Sequence, residues 1–147
     1  MKTLIRLMLL SLLISTCLGV AFAGNPARHP RYLHALSDLR LARAYLEHRT
    51  DNERRADEQD HAIRKINDAI NEIKRASIDD GKSLDDHPPI DASLRGGRYH
   101  KVLELLDSAH RDVTMEEDDP QAQGLQGRVI KHIDEAHRIV EHLANQS

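Results

Sequence analysis

Two stretches of this chain carry the same amphipathic pattern at a constant spacing of 67 residues. That offset lays Arg31-Tyr32 on Arg98-Tyr99, Leu36 on Leu103, Leu39 on Leu106 and Ala42 on Ala109. It continues without a gap to place Ile63 on Ile130, Ile66 on Ile133, Ala69 on Ala136 and Ile73 on Val140. In each stretch the apolar residues recur every three or four positions, the spacing of a helix with one buried stripe. One register kept through two helices and the loop between them is the mark of a repeated helical hairpin. A lone hairpin cannot bury its stripe, whereas two hairpins bury each other's. The predicted fold is therefore all-α: a four-helix bundle in one domain, built from hairpins 31–76 and 98–145 and joined by a long linker, 77–97. Helices of roughly 18–20 residues would be about 27–30 Å long. Ala42, Ala69, Ala109 and Ala136 fall at matching levels and allow close helix approach.

Punctuation residues set the expected boundaries. Pro26 and Pro30 hold off helix in a short leader, 24–30. Asp57 or Asp60 can cap the second helix, and Gly81 is placed to end it in the left-handed conformation. The linker holds Asp79, Asp80, Asp85 and Asp86, then Pro88-Pro89 and Gly96-Gly97. Glu116–Asp119 and Pro120 close the third helix.

Residues 1–23 read as a secretory signal peptide. Lys2 and Arg6 supply a positive start, Leu7–Val20 is apolar but short for a bilayer span, and Ala21-Phe22-Ala23 is a cleavage site before Gly24. An exported, periplasmic or secreted destination follows. The lipoprotein alternative would use Cys17, but Ile14-Ser15-Thr16 is a poor match to the pattern before a lipidated cysteine. Removing residues 1–23 takes away two basic residues, so the formal net charge moves from −3 to −5. It also removes the single Cys and the single Phe, and the chain has no Trp. Disulfides, cysteine metal sites, a cysteine nucleophile and a transmembrane segment in the mature chain are thereby excluded.

The stretch His29-Pro30-Arg31-Tyr32-Leu33-His34-Ala35-Leu36-Ser37-Asp38-Leu39-Arg40, with Ile78–Lys82 and Asp86-His87-Pro88-Pro89, resembles a group of small exported bacterial helical proteins with no assigned function. The resemblance implies the same fold and export. It transfers no catalytic or binding residues.

The chain's ten histidines are the open chemical question, because neutral imidazole is the commonest protein metal ligand. His34 with Asp38, and His100 with Glu104, are i,i+4 pairs on one helix face and could share a Zn, Cu or Ni ion. His137 takes the stripe position that Ile70 fills in the first half, which makes it the one candidate for a core-facing haem ligand. No Cys-x-x-Cys-His accompanies it. A di-metal bundle site would use Glu-x-x-His pairs. Glu58-x-x-His61 and Asp134-x-x-His137 approach that pattern but are not equivalent under the 67-residue offset. The linker aspartates with His87 offer oxygen ligands for a cation, without EF-hand spacing. Protonating every histidine would move the mature charge from −5 to +5, so surface binding is expected to change with pH.

No phosphate-binding loop, nucleophile elbow or His-Glu-x-x-His helix is present. The acidic balance argues against nucleic acid as a partner. The sequence thus points to a non-enzymatic binding or structural module of the cell envelope, without cofactor and with protein as its partner. The alternative is a periplasmic histidine-rich metal- or haem-binding protein.

Overall fold

A computed structural model describes residues 29–48, 55–75, 78, 80–94, 97–116 and 124–146. The expected signal segment with Cys17, residues 24–28, Asp79, Gly96 and the run 117–120 lie outside the described residues. Four helices form: α1 Pro30–Glu47, α2 Ala56–Arg75, α3 Arg98–Met115 and α4 Leu125–Asn145. Among the described residues there is no strand.

The helix ends correct two expectations. Pro30 does not hold off α1 but begins it. At the first helical position its missing N–H costs nothing and its fixed φ is already helical. Gly81 does adopt a left-handed φ of 72°, but α2 has ended at Arg75. The glycine instead serves a turn inside the linker, where the Lys82 N–H donates to Asp80 Oδ1 at 3.2 Å. Asp57 and Glu58 in the first turn of α2, with Lys74 and Arg75 in its last, oppose the helix dipole at both ends.

The helices form a square in which α1 packs most extensively on α3, and α2 on α4. The contacts of α3 with α4 and of α1 with α2 close the ring. Both large seams are antiparallel. His34 near the start of α1 meets Asp112 near the end of α3, and Glu58 near the start of α2 meets His142 near the end of α4. The chain therefore runs up, down, down, up, and the segment between α2 and α3 must return along the length of the bundle.

The core follows the helical stripes. Leu36, Leu39, Ile66, Ile70, Leu106, Ile133 and Val140 are fully or almost fully buried, as are the four alanines at matching levels. Burying a Leu or Ile side chain contributes roughly 1.5–3 kcal/mol, so these layers dominate the stability. The stripes sit slightly rotated from the simplest reading. Leu105 in α3 and Leu125, Val129 and Leu143 in α4 are buried, whereas Leu103 and Ile130 are only half-buried. A helix packed in a square faces two neighbours, so its buried strip is wider than one row of residues.

The linker is a strap laid along the outside of α1. Leu84, Ile90 and Leu94 are half-buried against the core, with exposed residues between them. Polar ties run up α1 in order. Arg40 holds both Asp80 oxygens at 2.9 and 2.5 Å, Arg43 reaches Asp85 at 3.0 Å, and the Asp91 N–H donates to the Tyr45 hydroxyl at 3.1 Å. The sequence pattern places Arg40 on the polar face of the first helix. The structure leaves its side chain only 1% exposed, the most enclosed charged group described. Covering by the strap is the reason, and the bidentate carboxylate makes that burial tolerable. Burial alone would push the Asp80 carboxyl up. The hydrogen bonds from Arg40 and the Lys82 N–H, with the Arg40 charge, outweigh it and hold the group below its ordinary value.

Candidate functional site

The α1·α3 seam gathers the one group of three potential metal ligands found among the described residues: His34, Asp38 and Asp112. One helical turn separates His34 from Asp38 on α1, so they share a face. The antiparallel seam brings Asp112 of α3 to the same place. His34 Nδ1 lies 3.8 Å from Asp38 Oδ2, and when protonated it donates to Asp112 Oδ2 in a short hydrogen bond. One ligand atom from each residue falls within 4.8 Å of the others. The imidazole is open to solvent, its side chain 62% exposed, while Asp38 and Asp112 are 13% and 20% exposed. The Asp112 hydrogen bond, aided by the charges of Asp38 and Asp112 against a smaller opposing effect of burial, raises the His34 pKa above its ordinary value.

Next to this trio the chain makes a second His–carboxylate contact. His29 Nδ1 is 3.5 Å from Glu116 Oε1, and the Arg31 N–H donates to Glu116 Oε2 at 2.9 Å. The His29 ring meets Tyr32 edge-on at 6.0 Å.

The other expected ligands are not brought together in this way. His100 is exposed near the start of α3, and the Glu104 carboxylate instead accepts from Lys101 at 2.9 Å. His137 does not face the core. Its side chain is 31% exposed, and Nε2 lies 3.3 Å from Asp107 Oδ1 across the α3·α4 seam. The buried strip of α4 runs through Ala136 and Val140, which leaves the adjacent imidazole at its edge, whereas the aligned Ile70 is fully buried. The two Glu-x-x-His-like pairs are also separated by their partners. Glu58 contacts His142, and Asp134 contacts His110 at 3.5 Å. Among the described residues the buried polar side chains are Arg40 and Gln59, and Gln59 Nε2 donates to the Tyr99 hydroxyl at 2.5 Å. Linker residues Asp80 and Asp85 are engaged by Arg40 and Arg43.

Asp112 is the site residue that sequence spacing alone misses, because it lies 78 residues from His34. The signal that finds it is the 67-residue offset read in the sequence combined with an antiparallel seam. If Leu39 and its counterpart Leu106 mark the middle of α1·α3, then position 34, five residues before Leu39, faces position 111, five after Leu106, and Asp112 adjoins it.

A wider pattern surrounds the site. Six of the ten histidines stand within 4.0 Å of a carboxylate outside their own helix: His29, His34, His110, His132, His137 and His142. The seams of this bundle are thus lined by histidine–carboxylate contacts.

No helix among the described residues is long and apolar enough to cross a membrane. No family model, no curated protein and no solved structure matches the chain.

Proposed function

We propose that this protein is an exported helical bundle that acts as a non-enzymatic binding or structural module in the cell envelope, with protein as its partner. The observation that carries the reading is the strap. It is tied to α1 by Arg40, Arg43 and Tyr45, and it still holds Lys82, Ser83, Asp85 and Asp86 exposed on its outer side. A polar segment fixed on a rigid scaffold can meet a partner without first losing the conformational entropy of a free loop. The signal-like segment 1–23 supports the export half of the reading.

The test has two parts. The chain recovered from the envelope fraction should begin at Gly24, and a chain retained inside the cell with Met1 intact would sink the assignment. In the envelope, charge reversal at Lys82 and Asp86 should abolish co-isolation of the partner while leaving the thermal melt unchanged. Undiminished co-isolation would remove the strap from the interface.

A second reading, a periplasmic metal-binding protein, is favoured by the gathering of His34 and Asp38 with Asp112. Within that reading haem loses its axial candidate, since His137 stands at the bundle surface beside Asp107.

A further inference from the structure

We propose that His34, Asp38 and Asp112 bind one divalent first-row transition ion, zinc being the representative, and that the ion staples the start of α1 to the end of α3. The inference rests on the metal-binding reading and specifies its site, its ligand chemistry and its consequence.

The donor set is one imidazole nitrogen and two carboxylates. That mixture suits zinc and its borderline neighbours better than calcium, which prefers oxygen alone. An ion about 2.1 Å from each ligand atom holds those atoms roughly 3.4 Å apart in tetrahedral geometry. The His34–Asp38 separation of 3.8 Å is already close to that value. His34 and Asp112 are closer because a proton lies between them. A metal ion would take the place of that proton, and the two side chains need only part slightly.

Charge balance favours a cation here. Elsewhere on the surface, some carboxylates are matched by Lys or Arg, as in Asp85 with Arg43, Glu72 with Arg128 and Glu135 with Lys65, and others, such as Asp107 and Asp134, each meet one histidine, whereas here two carboxylates share the single His34. Among the described residues, no Lys or Arg forms a salt bridge with Asp38 or Asp112, although the Lys101 charge acts on Asp38. Asp38 Oδ2 is itself enclosed and accepts no hydrogen bond there. A buried carboxylate oxygen without a donor is costly, and a cation removes the cost.

The opposite end of the same seam is the internal control. The 67-residue offset lays His34 on Lys101, Asp38 on Leu105 and Tyr45 on Asp112. At that end Lys101 pairs with Glu104, Leu105 is buried and the Tyr45 hydroxyl accepts from the strap. None of the three positions keeps its ligand: Leu105 and Tyr45 stand where the two aspartates would be, and Lys101, a cation, stands where the histidine would be. The trio therefore does not arise from the repeat itself.

The experiment is a zinc titration of the purified protein, stripped with a chelator and then freed of it. Calorimetry reads affinity, and circular dichroism reads the melt with and without zinc. The expected result is one ion per chain. Asp112→Asn, Asp38→Asn and His34→Gln should each weaken zinc by at least about tenfold, while His142→Gln leaves the affinity unchanged. At zinc 100-fold above Kd the melting temperature should rise on the order of 8 °C, and the rise should vanish in Asp112→Asn. Should either Asp variant lose its helical spectrum, His34→Gln decides, since that side chain is exposed. Zinc bound equally well by all three variants would overturn this site while leaving the metal-binding reading intact. Zinc bound without a shift in the melt would overturn the staple. No zinc uptake at micromolar concentrations would overturn both the site and the reading.

Discussion

Helices α1 and α3 correspond under the 67-residue offset, yet they are buried very differently. Helix α3 buries one strip, including Val102, Leu106, Ala109 and Val113. Helix α1 buries that strip and more, including Arg40, Ala44 and Tyr45. The aligned partners of those three residues are Asp107, Arg111 and Asp112, which are exposed or half-exposed. The difference comes from outside the helices. The strap crosses α1 and leaves α3 open. Two segments of similar pattern thus acquire different surroundings, and the same position becomes a buried arginine in one and a surface aspartate beside His137 in the other.

The comparison breaks most completely if the shared core fails. Ile66→Asp or Ile133→Asp places an unpaired carboxylate in the central layers, at a cost of more than about 4 kcal/mol, and should unfold the bundle. Circular dichroism would show the helical signal lost, and a sharp melt in either variant would contradict the packing described. The next effect separates the two helices. Arg40→Ala should destabilise by about 3 kcal/mol, because it leaves the partly enclosed Asp80 of the strap without its cation. Asp107→Ala at the aligned position should stay within about 0.5 kcal/mol. Urea denaturation measures both, and equal losses would mean that the strap does not set α1 apart.

Acid sharpens the same contrast. The Asp80 carboxyl is held below its ordinary value in the fold, so it contributes stability above the unfolded value of about 3.9 and loses it as the pH falls through the lower folded value. As the pH falls below about 5, toward and past the unfolded value, the wild type should therefore lose more stability than Asp80→Asn. Parallel curves for the two proteins would deny Asp80 that role. The smallest effect is expected at Lys101→Ala, which removes an exposed i,i+3 pair with Glu104. It should cost at most about 0.5 kcal/mol, and a larger loss of stability would reveal a further structural role for Lys101.

Much of the architecture is readable from periodicity. The stripes through Leu36, Leu39, Ile66 and Ile133 announce four helices, because burying apolar surface at helical spacing is a local pattern with a global consequence. Boundaries were less secure. Pro30 can stop a helix or start one, and Gly81 can end a helix or turn a loop, since each residue constrains its own dihedrals without naming its element. His34 with Asp38 could be paired from sequence because one helical turn fixes their proximity. His137 lies at the edge of the buried strip because stripe position decides burial only to within about one residue's rotation of the helix, an arc of about 100° at 3.6 residues per turn.

The sequence by itself determined the helices, their amphipathic faces and the i,i+4 neighbours, all of which depend on contacts within a few residues. Only the tertiary structure decided that α1 would pair with α3 rather than chiefly with α2, that the linker would fold back over Arg40, and that Asp112 would join His34 and Asp38. Those outcomes depend on how whole helix surfaces compete for one another, and the groups that meet are brought together across 40 to 78 residues of chain.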